Sequence, residues 1–294
     1  MNVLVVGRSG QLATELMRYK WPDGTRVTAF GRPGFDVADF DAVTAAFVQV
    51  EPSLVVNAAA YTAVDRAEAE PDAAMAVNYR GARNLAEASA RRGVPLIHVS
   101  TDYVFDGRGE RPWREDDRLA PLGSYGRSKL AGERAIQESL PRHIILRSSW
   151  VFAAHGQNFV RTMLRLGAER PSLSIVDDQL GCPTSAADLA RVIVEIGGAL
   201  AQGSTDYGTY HYTGSGPVTW FGFAQAIFAA AGLPKSPELH PITTADFAAP
   251  APRPAYSVLD CGKIGRVFGI AQRPWSDELR AVIAALRVEG GAAR

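Results

Sequence analysis

The chain has 294 residues, enough for one large domain or two fused smaller ones. Hydrophobic residues make up 47% and charged residues 21%, and 31 basic side chains balance 31 acidic ones. Zero net charge gives no basic excess for nucleic acid, and no apolar run approaches the roughly 18 residues that span a bilayer. We therefore expect neither a nucleic-acid nor a membrane partner.

Cysteine and histidine offer no metal or disulfide pattern. Cys182 and Cys261 lack a CxxC pair and a metal-ligand spacing, which is typical of plain thiols in a reducing cytoplasm. We accordingly expect a cytoplasmic protein. The 5 histidines also lack a metal-ligand spacing and are interpreted as structural or surface residues: His98, His143, His155, His211 and His240.

Short apolar runs alternate with helical patterns through the first half of the chain. The predicted strands are 2–7, 26–32, 53–60, 95–101 and 143–152, and the predicted helices are 11–19, 39–50, 70–93 and about 124–140. Asp39 is placed to cap the second helix, and Gly93 to end the third. This order predicts an α/β fold with a doubly wound parallel sheet of the Rossmann type.

The second half of the chain is less regular. Helices are predicted at 158–169, 185–200, 218–232 and 276–287, strands at 173–181 and 208–214, and a frayed tail at 289–294. We predict a dinucleotide-binding domain over 1–152, completed by roughly 182–214. A smaller α/β substrate-binding lobe at the C-terminal side would comprise 153–181 and 215–294.

The first strand runs into GRSGQLA, with Gly7, Gly10 and Ala13 at G-x-x-G-x-x-A spacing. Glycine permits close backbone approach, and the following helix offers free N–H groups and a positive dipole end to a pyrophosphate. Its position between an apolar strand and a helix favours nucleotide binding over a plain tight turn. Arg32 at the second strand end, with Arg8 in the turn, suits a 2′-phosphate. We therefore expect NADPH, with NADH possible.

Tyr125 and Lys129 are four positions apart in SYGRSKLAGE (124–133), so both lie on one helix face. A nearby ammonium favours the phenolate, which would lower the pKa of Tyr125 from about 10 and suit proton transfer near neutral pH. Alone, this spacing also fits an ordinary amphipathic helix. STDYVFDG (100–107) ends the fourth strand, at the edge where open α/β sheets keep their active sites.

The chain resembles the extended short-chain dehydrogenase/reductase superfamily over nearly its whole length, and within it the dTDP-4-dehydrorhamnose reductase family. The stretches that carry this resemblance are GRSGQLA, VVNAAAYTAVDRAE (55–68), VSTDYVFDG (99–107), PLGSYGRSKLAGE (121–133), LRSSWVF (146–152), NFVRTML (158–164), DDQLGCPT (177–184) and RPAYSVLD (253–260). The resemblance implies NADPH-dependent reduction of the C4 ketone of dTDP-4-dehydro-6-deoxy-L-mannose to dTDP-L-rhamnose, a cell-surface polysaccharide precursor.

The resemblance also implies roles for individual residues. Thr101, Tyr125 and Lys129 would be catalytic. The cofactor would be bound by Gly7, Ser9, Gly10, Gln11, Leu12, Arg32, Asp36, Val37, Ala58, Ala59 and Ala60, together with Tyr125 and Lys129. The dTDP-linked keto sugar would be bound by Tyr61, Asp65, Thr101, Asp102, Tyr103, Trp150, Asn158 and Arg253.

Departures from related patterns leave alternatives open. Tyr103 stands where related dehydratases carry an acid, which favours simple reduction. The alternatives are a reductase or epimerase of another nucleotide-linked keto sugar, and a non-catalytic regulatory subunit of the methionine adenosyltransferase type. Some relatives hold Mg²⁺ with glutamates at a dimer interface; Glu15 matches one position, but Ala187 stands where we would expect another glutamate. Magnesium thus stays uncertain, and the chain is expected to be a monomer or a homodimer.

Overall fold

The computed structural model describes residues 1–233 and 235–292. Its strands are β1 (Asn2–Val6), β2 (Arg26–Phe30), β3 (Leu54–Asn57), β4 (Leu96–Thr101), β5 (His143–Ser148), β6 (Val151–Phe152), β7 (Ser172–Val176), β8 (Leu180–Gly181), β9 (Thr184–Ser185), β10 (Gly208–His211), β11 (Val218–Thr219) and β12 (Glu238–Ile242).

The helices surround these strands. They are α1 (Gln11–Arg18), α2 (Phe40–Val50), α3 (Val64–Ala69), α4 (Pro71–Met75), α5 (Ala82–Arg92), α6 (Ser124–Ser139), α7 (Phe159–Glu169), α8 (Ala186–Ala201), α9 (Trp220–Ala231), α10 (Thr244–Phe247), α11 (Gly262–Phe268) and α12 (Trp275–Ala292). A π-helical segment, Ala76–Gly81, joins α4 to α5, and a 3₁₀ turn, Asp102–Val104, follows β4.

Six parallel strands form the central sheet, in the order β10-β5-β4-β3-β1-β2. Alternate residues of each strand pack against opposite helical layers. Val3 and Val5 contact the core under α1 and α8, whereas Leu4 and Val6 contact the core under α2 and α5. The predicted α/β fold with a parallel Rossmann-type sheet is confirmed.

The strand order reverses between β1 and β3, which are neighbours in the sheet although α2 and β2 separate them in sequence. Their register pairs Val6 with Asn57, so the chain leaves both strands at the same edge. In open α/β sheets this edge carries the ligand crevice. The glycine turn and Ala58–Ala60 therefore meet there.

The predicted helix 70–93 is a continuous helical stretch, from Pro71 at its first turn to the left-handed Gly93 at its end. The sequence analysis did not predict its central π-helical segment or the preceding helix α3. Asp39 caps α2 as predicted, accepting hydrogen bonds from the backbone of Asp41 and Ala42. The predicted strand 143–152 is broken, because Trp150 adopts a positive φ of 49° between β5 and β6.

Residues of the second half form a separate hydrophobic cluster from α7, α9, α12 and β7, including Met163, Phe223 and Ile283. Strand β10 instead joins the central sheet beside β5, and α8 packs on α1. The division into two domains stays a prediction. Helix α12 continues to Ala292, so the tail predicted over 289–294 is wrong as far as 292, and 293–294 lie outside the described residues.

Among residues 1–233 and 235–292, no helix has both the length and the apolar composition needed to cross a membrane.

Candidate active site

The turn after β1 requires glycine at its first position. Gly7 has a φ of +118°, and a Cβ there would lie 2.8 Å from the backbone of Ala58 and Ala59. Its N–H donates to the Phe30 carbonyl at 2.8 Å, which fixes the turn against β2. Gly10, the N-cap of α1, has no side chain to cap the first N–H groups of that helix. These groups can therefore serve an anion.

A cleft opens beside this turn, which we call the glycine cleft. It is lined by nine of the predicted cofactor residues: Gly7, Ser9, Gly10, Arg32, Asp36, Val37, Ala58, Ala59 and Ala60. The side chains of Gln11 and Leu12 are placed elsewhere. Leu12 is packed in the core under α1, and Gln11 accepts a hydrogen bond from Asn158 at 2.9 Å.

The end of β4 and the start of α6 bring Thr101 and Tyr125 together. Thr101 is buried, donates to Asp102 at 2.9 Å, and accepts from the Tyr103 amide at 3.2 Å. Tyr125 packs edge-on against Tyr103, with 5.5 Å between ring centroids. Gly126 permits this approach, because any Cβ there would collide with the Tyr103 carbonyl.

Burial is the largest influence on the pKa of the Tyr125 phenol. It raises the pKa of Tyr125 to about 12; the Thr101 hydroxyl opposes this shift and the Asp102 carboxylate adds to it. The predicted lowering by Lys129 is therefore wrong for this arrangement. Lys129 Nζ donates to the Val99 carbonyl at 2.7 Å, so its ammonium is directed at β4. A neutral phenol is nevertheless the form that donates a proton.

Lys129 itself is buried, and this burial lowers its pKa to about 8, with Glu133 opposing the shift. Its Nζ also lies 3.4 Å from His98 Nε2. One turn further along α6, Glu133 pairs with the buried Arg147 at 2.7 Å. This ion pair joins α6 to β5 behind the candidate catalytic residues.

Asp102 is the buried acid of the site. Burial raises its pKa to about 6, and interactions with Ser257 and Thr101 oppose the shift. Its contact with Thr101 connects it to the candidate catalytic hydroxyls, and its contact with substrate stays a prediction.

Helix α3, absent from the predicted elements, contributes carboxylates to two neighbours. Asp65 accepts from Arg253 at 2.9 Å and from the Ala251 amide at 3.2 Å, so two predicted substrate residues form an ion pair. Arg253 is the main cause of the lowered pKa of Asp65.

Glu68 accepts hydrogen bonds from Ser124 at the start of α6. The predicted substrate residue Tyr61 precedes α3 and donates to Glu70 at 2.7 Å.

A second cleft, which we call the aromatic cleft, lies in the second half of the chain. Its lining includes Phe159, Met163, Gln179, Trp220, Phe247 and Arg253. Trp150 stacks on Trp220, with ring centroids 3.5 Å apart and planes 8° from parallel. The interruption between β5 and β6 at Trp150 thus directs its ring onto the wall of this cleft.

Asn158, predicted to contact the substrate diphosphate, has its amide engaged inside the fold. It caps α7 through the Arg161 amide and donates to Gln11 Oε1 at 2.9 Å and to the Ala153 carbonyl at 2.9 Å. These bonds connect the first turn of α1 to the start of α7. The arrangement favours a structural contact, and a direct contact with substrate stays a prediction.

Glu15, the candidate magnesium ligand, pairs with His155 at 2.6 Å. Within the part of the chain that the structure describes, no three His, Cys, Asp or Glu side chains cluster so that they could hold a metal ion. The geometry thus gives Glu15 a hydrogen-bond partner on the loop before α7.

The sequence analysis assigned no role to several supporting residues: Asn57, Glu68, Asn78, Glu133 and Trp220. It interpreted a further one, His98, as a structural or surface residue. Their partners are distant in sequence. Asn78, for example, lies in the π-helical segment and donates to Ser128 at 2.9 Å, next to Lys129. The aromatic run WFGF (220–223) was the one available signal for Trp220.

Comparison with known proteins supplies independent information. A family model described as "RmlD substrate binding domain" matches residues 1–288. The chain is 44% identical to the dTDP-4-dehydrorhamnose reductase of Sinorhizobium fredii, over 99% of each chain. A crystal structure of this reductase from Clostridium acetobutylicum has a TM-score of 0.91 and 36% identity, covering 98% of this chain and 100% of that chain.

A second solved structure contains a nucleotide. It is the dTDP-4-dehydrorhamnose reductase of Bacillus anthracis in complex with NADP. It has a TM-score of 0.90 and 37% identity, and the match covers 96% of this chain and 98% of that chain.

Proposed function

The chain belongs to the RmlD substrate-binding-domain family, that of the dTDP-4-dehydrorhamnose reductases, and we propose that it reduces the C4 ketone of dTDP-4-dehydro-6-deoxy-L-mannose with NADPH, giving dTDP-L-rhamnose. The observation that carries this proposal is the meeting of Thr101 and Tyr125 at the carboxyl edge of the sheet. Two buried hydroxyls there can stabilise an oxygen that gains charge.

The glycine cleft fits a dinucleotide. A pyrophosphate needs close backbone approach and free N–H groups, which Gly7 and the uncapped start of α1 provide. The exposed Arg32 suits the 2′-phosphate of NADPH, whereas Asp36, the nearby acid, accepts from the Ala38 amide at 2.9 Å. When bound, the nicotinamide supplies the hydride that reduces the ketone.

Residues of the chain supply the proton that the C4 oxygen needs. As C4 is reduced, its oxygen gains negative charge and needs a proton. Tyr125 is the donor, because burial keeps its pKa at about 12 and its phenol neutral at physiological pH. Thr101 would donate a hydrogen bond to the same oxygen, and Lys129, whose Nζ binds the Val99 carbonyl at 2.7 Å, would use its positive charge to hold the nicotinamide ribose. The side chains of β4 and α6 therefore act on one oxygen.

The substrate nucleotide is assigned to the aromatic cleft. Arg253 lines that cleft, and its pKa is raised because Asp65 and Tyr103 outweigh the cost of its burial. A guanidinium fork suits a diphosphate. Stacked Trp150 and Trp220 offer flat apolar surface to the sugar or base. These contacts support a dTDP-linked sugar as substrate.

The location and assembly complete the proposal. We infer a cytoplasmic enzyme, since nucleotide sugars and NADPH are cytoplasmic metabolites and Cys182 and Cys261 are free thiols. We propose that the chain acts as a monomer or a homodimer.

The test follows NADPH absorbance while the keto sugar is formed in place from dTDP-glucose by the two preceding enzymes. We expect oxidation that needs every component and yields dTDP-rhamnose, with NADH slower in a parallel cuvette. Absence of oxidation with either cofactor, from folded protein that binds NADPH, contradicts the proposal. Other nucleotide-linked keto sugars would then be tried, followed by mixing with methionine adenosyltransferase.

A further inference from the structure

The first observation concerns the orientation of a buried amide. Asn57, at the end of β3, is 1% exposed, and its Oδ1 accepts the backbone N–H of Ala59 at 3.1 Å. This contact assigns the oxygen end of the amide, because an N–H group needs an acceptor. The nitrogen end, Nδ2, consequently faces His98 Nδ1 at 2.9 Å.

The orientation of Asn57 decides where His98 carries its proton. An amide nitrogen is only a donor, so His98 Nδ1 must accept. Burial and the nearby Lys129 and His143 hold the pKa of His98 well below its usual range, so the ring is neutral. A neutral imidazole has a single N–H, which leaves the proton on Nε2.

Nε2 of His98 faces Lys129. The two nitrogens are 3.4 Å apart, longer than an ordinary hydrogen bond, while Lys129 Nζ donates to the Val99 carbonyl at 2.7 Å. An ammonium and an Nε2–H group are both donors, so they oppose each other. An uncharged amine, in contrast, can accept the imidazole proton.

We propose that His98 is a positioning residue for Lys129, held by Asn57 in the Nε2–H form so that it opposes the charged state of the lysine. This inference rests on the proposed function only for the role given to Lys129. The other ionisable groups acting on this pair are Glu133 on α6, which faces Lys129, and His143 on β5, which acts on His98. Glu133 is the one that favours the ammonium.

The consequence is a lysine that releases its proton more readily than an ordinary one. Burial by itself lowers the pKa of Lys129 to about 8, and the Nε2–H group of His98 acts in the same direction. Because the ammonium supports reduction, activity should fall as pH rises through that value. Tyr125, with a pKa of about 12, stays protonated over the same range.

The direct experiment is NMR of the wild-type protein with ¹⁵N-labelled histidine, which reports the protonated ring nitrogen without any activity measurement. We expect His98 to show protonated Nε2 and unprotonated Nδ1 from pH 6 to pH 9. A proton on Nδ1, or a ring that titrates near 6.5, would overturn the proposal.

The second experiment uses two variants and the ¹³Cε shift of Lys129. His98→Gln can turn a carbonyl oxygen towards Lys129, so we expect the lysine pKa and the alkaline limb of kcat/KM to move up by about one pH unit. His98→Asn keeps an acceptor for Asn57 but reaches Lys129 less, so its shift should be smaller. Unchanged titration of Lys129 in the folded Gln variant would refute the proposal.

These readouts separate the inference from the proposed function. Wild-type protein that lacks reductase activity would contradict the proposed function, while the histidine spectrum and the lysine titration would still report on His98. Full activity combined with the opposite tautomer would refute the inference alone.

Discussion

The Glu68 carboxylate accepts hydrogen bonds from the backbone N–H and the hydroxyl of Ser124, at 2.6 and 3.0 Å, and thereby caps α6 from a different helix. The N-cap residue of α6, Gly123, has no side chain that could do this. A carboxylate at a helix N-terminus also interacts favourably with the helix dipole. The first turn capped in this way contains Tyr125.

Glu68→Ala should remove this cap and loosen the first turn of α6. We expect a loss of about 1–2 kcal/mol in the free energy of unfolding and a lower kcat with a nearly unchanged Kd for NADPH. Glu68→Gln, which keeps an acceptor for the Ser124 amide, should recover most of kcat. Equal kcat values in the wild type and the Ala variant would exclude a role in placing Tyr125.

Tyr125→Phe should lower kcat at least about a hundredfold, because it removes the proton donor and leaves the ring in place. NADPH binding, measured by fluorescence titration, should persist. A near-normal turnover rate would remove Tyr125 from the catalytic role.

Arg32→Ala should weaken NADPH binding more than NADH binding, since Arg32 lies exposed at the glycine cleft where a 2′-phosphate would sit. The measurement is the ratio of Kd values for the two nucleotides. If both nucleotides lose affinity equally, the 2′-phosphate is recognised elsewhere.

Asp102 should make stability depend on pH. Its pKa is about 6 in the folded protein, against 3.8 as the ordinary value, so folding favours the protonated acid. The contribution of Asp102 to the free energy of unfolding is therefore greatest below about pH 4 and is lost as pH rises through about 6. Asp102→Asn should gain about 3 kcal/mol over the wild type at pH 8 and only about 0.5 kcal/mol at pH 4.

Urea unfolding at the two pH values checks this expectation, with exposed Asp23→Asn as the matched control. At pH 8, Asp102→Asn should have a larger free energy of unfolding than the wild type, whereas Asp23→Asn should match the wild type. A constant difference between Asp102→Asn and wild type at both pH values would contradict the assigned pKa.

The features that could be predicted from the sequence are those that depend on residues close together in the chain. The glycine turn, the Asp39 cap and the six strands of the central sheet each depend on neighbouring residues, and sequence patterns indicate them directly. Helix α3 has only six residues and carries no strong periodic pattern, so it was missed. The π-helical segment contains Asn78, which donates to the Tyr61 carbonyl and the Ser128 hydroxyl, and no local pattern indicates these partners, which are distant in sequence.

Long-range contacts were the unpredictable part of the site. Ser124 and Glu68 are 56 residues apart, and Arg253 and Asp65 are 188 apart, so no sequence spacing connects them. The effect of Lys129 on Tyr125 was wrong for a related reason. A helix spacing places both residues on one face but does not say that the Val99 carbonyl binds the ammonium.

The position of β10 has a consequence for synthesis on the ribosome. Its residues Gly208–His211 pair with Ile144–Arg147 of β5, and the intervening chain forms all of β6, α7, β7, β8, β9 and α8. A nascent chain that has emerged only to residue 152 therefore presents β5 as an unpaired sheet edge. Such edges promote aggregation, so chaperone protection would matter most during translation of this middle third.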